Sequence, residues 1–140
     1  VLALFEWKNG GRLSRRKEAS VRSNYVDRLA EAAALDRATS ARDFLTKFPS
    51  GGAIWRIYWL HLWAPNRFPI YDQHVHRAMS WIELGHNEEI PSRDTAKVTS
   101  YLRRYLPFYE QFQALDPRRV DKALWSCGKR MKALVGSPIA

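Results

Sequence analysis

The segment FPIYDQHVHRAM (68–79) brings together four side chains that could do chemistry: Asp72, His74, His76 and Arg77. Three interpretations of this cluster compete. Asp72, His74 and His76 could bind a metal, since carboxylates and imidazoles are common metal ligands. The cluster could instead be an acid–base site centred on Asp72. It could also be a helix cap followed by a polar helix face, with no chemistry at all.

The residues after Asp72 favour a helix. Apolar residues recur at helical spacing at Val75, Ala78, Met79 and Ile82. On a helix, residues i and i+4 share one side, but residue i+2 points away from both. His74 would therefore not converge with Asp72 and His76, so we expect no metal site. Asp72 falls at the helix start, a position that suits both a capping and a catalytic aspartate.

Composition and charge narrow the class of protein. The 140 residues suit a single domain (1–140), and 46% hydrophobic and 13% aromatic content suits a folded core. Lys and Arg exceed Asp and Glu by 23 to 14, a net charge of +9. This excess favours a polyanionic partner, either nucleic acid or an anionic membrane surface.

Other features of the chain bear on its setting. No apolar run is long enough to span a bilayer. Cys127 is the single cysteine, which excludes a disulfide framework and a cysteine-ligated metal centre. We expect a soluble, intracellular protein. Because the chain opens at Val1 inside an apolar stretch, it suggests a fragment or an incomplete N-terminus.

The N-terminal half is predicted to be helical. We expect a short helix in VLALFEW (1–7), a turn at 8–11, and a long helix capped by Ser14 and running to about Leu35. Its predicted buried face is Val21, Tyr25, Val26 and Leu29. Ser40 should cap a shorter helix that stops at Pro49. The stretch AIWRIYWLHLW (53–63) is apolar almost all round, which is typical of a central buried helix.

The C-terminal half continues the pattern. Ser92 is predicted to cap the next helix, which Pro107 should kink or break. Asp116 and Pro117 form an N-cap and a first helical position, opening a last helix through about Leu134. The fold predicted from these signals is an all-α, multi-helix domain.

FPSGG (48–52) forms the junction between two predicted helices, and Asp72 starts a helix soon after. Gly51 and Gly52 let the backbone turn back and leave its N–H groups uncovered. Those groups, with the positive end of the following helix, suit a phosphate. The alternative is a plain αα-hairpin whose glycines only permit close packing.

Two motifs give this region a resemblance to the helix-hairpin-helix DNA glycosylases. That family carries a Leu-Pro-Gly-X-Gly hairpin, seen here as FPSGG (48–52), within a motif at about 40–63. It then carries Val-Asp-X-His-Val-X-Arg, seen here as YDQHVHR (71–77), and the two segments align without a gap. DKALWSCGK (121–129) is similar to the last helix of the 8-oxoguanine glycosylase-like branch. The likeness covers roughly residues 40–134.

The resemblance implies base-excision chemistry with Asp72 as the catalytic aspartate. Bifunctional members place a lysine eighteen residues before the aspartate, where this chain has Ile54. Isoleucine cannot form a Schiff base, so the implied activity is monofunctional hydrolysis of the N-glycosidic bond of a damaged base. Ser50 also replaces the first hairpin glycine, and 47 residues precede Phe48, fewer than in a complete glycosylase.

The partner implied is double-stranded DNA with a damaged base, in a cytoplasmic, nucleoid-associated setting, with no membrane and no small-molecule cofactor. The expected DNA-binding residues are Ser50, Gly51, Gly52, Ala53, His74, Lys47, Arg12, Arg15 and Arg16. Trp7 and Trp125 are candidates for a base pocket. Lys8 and Lys17 belong to the same basic segment as the three arginines.

Core positions are the competing interpretation for several other polar and aromatic residues. His61 should be a hydrogen-bonded core histidine, and Arg77 should pair with an internal acidic side chain. Trp55, Trp59 and Trp63 recur every four residues, which is typical of core packing rather than base stacking.

Two other classes of function remain open from the sequence. One is a non-catalytic helix-hairpin-helix module that binds nucleic acid. The other is a helical protein-interaction domain, in which the charge serves solubility or an acidic partner.

Overall fold

The computed structural model describes residues 1–136, and no strand occurs in that range. The predicted all-α class is confirmed. The α-helices are α1 (Leu2–Asn9), α2 (Arg15–Asn24), α3 (Leu29–Ala33), α4 (Ala41–Lys47), α5 (Ala53–Trp63), α6 (Gln73–Leu84), α7 (Asp94–Ser100), α8 (Leu106–Glu110) and α9 (Pro117–Gly136). A 3₁₀ turn (Val26–Arg28) precedes α3, and a π-helical segment (Tyr101–Tyr105) joins α7 to α8.

The predicted long helix from Ser14 to Leu35 is wrong, because the chain breaks at Tyr25. Ser14 does cap α2, accepting from the Lys17 amide at 3.3 Å. At Tyr25 the backbone leaves helical geometry (φ −130°, ψ −55°). The Tyr25 ring packs between Phe5 and Trp59, with centroids 5.0 and 5.3 Å away. Aromatic packing of this kind outweighs the few tenths of a kcal/mol that continued helix would contribute.

The break also changes which residues the segment buries. Val21 and Tyr25 are buried as predicted, and Val26 is half-buried. Leu29, predicted to be buried, is 48% exposed. When the helical period of α2 is continued past the break, it predicts the wrong side of the helix for Leu29, because α3 is a new helix that begins at that residue.

Helix α5 is the central helix, as predicted, and none of its residues is exposed. Ile57 and Leu60 are fully buried. The tryptophans pack in the core as expected: Trp55 stacks on Phe5, and Trp63 lies 5.0 Å from the Phe44 ring. The helix ends at Trp63, with Ala64 leaving helical geometry just before Pro65.

Helix α6 begins immediately after Asp72, and Val75, Ala78 and Met79 are buried as predicted. Ile82, predicted to lie on the same face, is 55% exposed. Ile82 therefore keeps the helical period but lies where α6 extends past the core.

The next helical region differs from prediction at its start. Ser92 does not cap α7, which begins at Asp94 with Arg93 in the cap position and no side-chain cap. Pro107, predicted to kink or break this helix, accompanies a change of helical geometry. It lies in the first turn of α8, directly after the π-helical segment Tyr101–Tyr105. The irregular geometry falls before the proline, where such wide turns commonly occur.

Helix α9 packs along α6, and its start at Pro117 confirms the prediction. Asp116 accepts from the Arg118 amide at 3.2 Å. The two helices approach most closely at Gly128, where a Cβ atom would lie 1.6 Å from the His74 carbonyl oxygen. Only a residue without a side chain fits this crossing.

The single large core cluster runs through all of these elements, from Phe5 in α1 to Leu124 in α9. Over residues 1–136, no helix is both long and apolar enough to cross a membrane.

Candidate functional site

Asp72 is the N-cap of α6, and its carboxylate contacts three hydrogen-bond donors. Oδ1 accepts from the amides of His74 at 2.9 Å and Val75 at 3.2 Å. Oδ2 accepts from the Lys8 ammonium at 3.3 Å. The Asp72 side chain is 14% exposed, so it is sheltered but reachable. The predicted helix start is confirmed, and Asp72 does serve as a cap.

Lys8 is the residue of this site that sequence reasoning missed. Its sequence position assigns Lys8 to the exposed basic segment, yet its side chain is only 15% exposed and points to Asp72. Helix α1 places it there, because Phe5 anchors α1 in the core and the Tyr58 hydroxyl donates to the Leu4 carbonyl at 2.9 Å. The two partners are 64 positions apart in the chain, so no local pattern indicates the pair.

His76 and Arg77 turn away from Asp72 and into the protein. The buried His76 ring shares a 2.7 Å hydrogen bond with the Tyr71 hydroxyl. Arg77 donates twice to Glu89, at 3.1 and 2.9 Å, which confirms the internal acidic partner. Within residues 1–136, no three His, Cys, Asp or Glu side chains are arranged to hold a metal ion.

His74 faces α9 and lies against a base-pocket candidate. Its ring meets the Trp125 ring edge to face at 5.3 Å. Burial lowers the pKa of His74, and the neighbouring Arg77 charge lowers it further. A neutral imidazole can donate one hydrogen bond to a phosphate but brings no charge to it. Nδ1 of His74 is buried and has no hydrogen-bond partner among the described residues.

Side chains from two neighbouring elements pack on the α4–α5 turn. Arg56 donates to the carbonyls of Phe48 at 2.8 Å and Leu45 at 2.6 Å, closing the end of α4. Gly51 has φ +95°, and a Cβ atom there would lie 2.5 Å from the Tyr25 hydroxyl oxygen. Glycine at position 51 is therefore required twice, by the backbone angle and by the close approach.

The turn presents fewer free amides than the sequence suggests. The Ala53 amide donates to the Asp94 carboxylate at 3.2 Å, so Asp94 caps α5 from the start of α7. Ala53 is also buried, whereas Ser50, Gly51 and Gly52 are exposed. A phosphate at this turn would contact the amides before Ala53, close to the negative charge of Asp94.

A small cavity lies beside those exposed glycines. Its volume is about 250 Å³, and it lies between α2 and the α4–α5 turn. It is lined by Lys17, Ser20, Val21, Tyr25, Gly51, Gly52 and Trp55. The uncovered backbone of the turn and the Lys17 side chain therefore line the same cavity. The Lys17 ammonium group donates to Asn9 Oδ1 at 2.9 Å.

The remaining predicted DNA-binding residues are on the surface. Arg12, Arg15, Arg16 and Lys47 are all exposed. Arg12 also borders an open hollow of about 710 Å³ next to Trp7. Its other lining residues are Glu6, Gly10 and Gly11.

The two base-pocket candidates have different surroundings. Trp7 is 70% exposed on α1, adjacent in sequence to Lys8. Trp125 is 40% exposed on α9, with the Lys129 ammonium 4.8 Å from its ring centroid and His74 on another side. Each tryptophan thus neighbours a residue that contacts Asp72. His61, by contrast, is hydrogen-bonded to the Phe68 carbonyl at 2.8 Å, as expected.

Comparisons with models of protein families, with curated proteins and with solved structures gave no match. The likeness to the helix-hairpin-helix glycosylases therefore stays a prediction that rests on the two motifs and on the positions of their residues in the fold.

Proposed function

We propose that this chain binds double-stranded DNA and hydrolyses the N-glycosidic bond of a damaged base. The observation that carries the proposal is the Asp72 carboxylate. It is sheltered, held by two amides and the Lys8 ammonium, and lies on the helix that follows the hairpin. A sheltered but reachable carboxylate in a fixed position suits a reaction that develops positive charge on a sugar.

In this reaction the bond between sugar carbon C1′ and the base nitrogen breaks, leaving an oxocarbenium-like sugar. Asp72 stabilises that positive charge and accepts a proton from the attacking water. Ile54 has no amine, so that position provides no Schiff-base chemistry. The damaged base would have to be flipped out of the duplex, because the Asp72 carboxylate lies below the protein surface.

DNA binding is supported by exposed cations of the N-terminal segment and by the exposed backbone of the α4–α5 turn. Gly51 and Gly52 border the cavity that Lys17 also lines. Arg12, Arg15 and Arg16 lie in the same N-terminal segment and are exposed. Contacts of this kind to phosphates position a duplex without reading its sequence.

The first test is single-turnover base release by wild type and Asp72→Asn. The duplexes would contain 8-oxoguanine, uracil, hypoxanthine or an alkylated adenine. Asparagine is an equally good N-cap, so the variant should keep its fold and bind duplex within a few-fold of wild type. Release should fall at least 100-fold, because an amide neither stabilises the sugar cation nor takes a proton from water.

Asp27→Asn is the matched control, since it removes one exposed carboxylate away from the site. It should leave both release and binding unchanged. Unchanged release in Asp72→Asn would mark Asp72 as a cap without catalytic function, and loss of folding or of duplex binding would mark its ion pair with Lys8 as structural, because asparagine keeps the cap.

The second candidate is a non-catalytic module that binds nucleic acid through the hairpin. It is favoured by the contacts of Asp72, since capping α6 and pairing with Lys8 already account for an aspartate at this position. Tight, salt-dependent binding with no release from any of the four duplexes would support the module over the enzyme.

A further inference from the structure

Asp121, on α9, is a half-buried carboxyl group that neither the core nor any ion pair explains. Its Oδ1 atom is buried and has no hydrogen-bond partner among the described residues. Burial raises the pKa of Asp121 to about 7, and the negative charge of Asp72 adds to the rise. Near neutral pH the group can therefore hold or give up a proton, while most surface carboxyl groups are ionised.

Two groups from other elements act on Asp121: Asp72 at the start of α6 and Tyr109 in α8. The charge of Asp121 in turn raises the pKa of Tyr101 and Tyr105, which lie in the π-helical segment. A hydrogen-bond interaction with Tyr109 opposes part of the rise in the pKa of Asp121. None of the groups that shift this pKa is a cation.

Tyr105 lies within electrostatic range of both carboxyl groups. Its side chain is fully buried, and its hydroxyl has no hydrogen-bond partner within residues 1–136. Burial raises the pKa of Tyr105, and both Asp121 and Asp72 raise it further. An unpartnered buried hydroxyl beside two carboxyl groups is unusual, because buried polar atoms are normally hydrogen-bonded.

Helix geometry places Asp121 on the side of α9 that faces the Asp72 site. Asp121 and Trp125 are four residues apart and share one helix face. The Trp125 ring contacts His74, and Gly128 touches the His74 carbonyl group. Asp121 lies seven residues before Gly128, roughly 10 Å along the helix axis, beside the tyrosines rather than out in solvent.

We propose that Asp121 is a second functional carboxyl group of the Asp72 site and that it protonates the base as the base leaves. The proposal rests on the proposed function. Two carboxyl groups in contrasting environments, one held by three hydrogen-bond donors and the other half-buried with an unpartnered oxygen, are a common arrangement for acid–base division of labour. Asp72, with its three donors, acts on the sugar and the water, and Asp121 acts on the leaving group.

The proton and electron balance is complete with water alone. The electron pair of the C1′–N bond goes to the base nitrogen system, which takes the proton from the Asp121 carboxyl group. Water adds to C1′, and its proton passes to Asp72. Asp72 then releases this proton to solvent and Asp121 takes one up, which restores the starting state. No oxidant, reductant or metal takes part.

The test compares a neutral leaving base with a cationic one. Hypoxanthine needs a proton to leave well, whereas N7-methylguanine already carries a positive charge in DNA. Asp121→Asn should slow hypoxanthine release about 100-fold and N7-methylguanine release less than about 3-fold, in the range of general acid catalysis. Wild-type release of hypoxanthine should decline above about pH 7, and release of N7-methylguanine should not.

Asp116→Asn is the control, since it removes an exposed carboxylate from the start of the same helix. Equal losses of release rate for both bases in Asp121→Asn, or the same pH profile for both bases in wild type, would overturn the proposed role of Asp121. Either result would leave the proposed function standing. The pH profile of release is measured on wild type, so it tests the role of Asp121 even if Asp121→Asn does not fold. Wild type that releases no base from any duplex would overturn the proposed function and this inference together.

Discussion

A single residue, Asp72, shows how capping and catalysis can require the same geometry. The amides of His74 and Val75 that satisfy the start of α6 also hold the carboxylate in one orientation. The N-cap was predictable, because an aspartate before an amphipathic helix is a local signal. The Lys8 contact was not, because it depends on how α1 packs against α5.

At the same scale, Asp121 leads to a prediction about stability and pH. Folding raises its pKa from 3.8 to about 7, so the native state binds this proton more tightly than the unfolded chain. The stabilisation is complete below about pH 4 and is lost as the pH rises to about 7. The Asp121→Asn variant has no carboxyl group at this position, so it does not lose stability in this way as the pH rises.

The thermal stability of Asp121→Asn and wild type should therefore be similar at pH 4 and diverge as the pH rises to 7. We expect the variant to be more stable at pH 8 by about 1 to 2 kcal/mol, after allowing for solvent screening of a half-buried group. Thermal unfolding at intervals between pH 4 and 8 measures the difference. A constant difference across that range would contradict the raised pKa of Asp121.

At the scale of elements, local patterns predicted most helices and failed where packing overrides them. Ser40, for example, caps α4 as expected, accepting from the Asp43 amide at 3.1 Å. The failures have a common cause. Tyr25 leaves the helix to fill the core, and Asp94 begins α7 while capping α5. Neither demand is visible within one segment, because each comes from a neighbouring element.

The contact between α6 and α9 gives a prediction for Gly128. Gly128→Ala would place a Cβ atom 1.6 Å from the His74 carbonyl oxygen, a backbone atom that cannot rotate away. The helices would have to separate, so we expect unfolding free energy to fall by about 3 kcal/mol or more, although alanine favours helix by about 1 kcal/mol. Chemical denaturation measures the change.

Ser126→Ala is the matched control for that experiment, because Ser126 is an exposed residue of the same helix. Its stability should stay within about 0.5 kcal/mol of wild type. Gly128→Ala as stable as this control would show that α6 and α9 do not approach as closely as described.

At the scale of the whole molecule, the net charge of +9 bears on which surface meets a polyanion. If Arg12, Arg15 and Arg16 contact phosphates, changing all three to alanine should weaken the salt dependence of binding. The negative slope of the log binding constant against log salt concentration should become shallower by about 2 to 3. Duplex binding measured between 50 and 200 mM salt, a range chosen to span this dependence, gives the slope.

A second triple variant, Arg118, Arg119 and Lys122 to alanine, removes the same charge from exposed positions of α9. It should change the slope less than the first triple variant. Equal changes would indicate binding by overall charge, as expected of a domain whose charge serves solubility or an acidic protein partner.

The sequence by itself determined the helical class and the cap at Asp72. Both follow from local chemistry: the spacing of apolar residues, and a side chain that accepts hydrogen bonds from nearby amides. Only the tertiary structure decided that Lys8 reaches Asp72, that Asp94 takes the Ala53 amide, and that Asp121 is buried near tyrosines. Those contacts join residues far apart in the chain, and helix packing angles, which no local pattern encodes, bring them together.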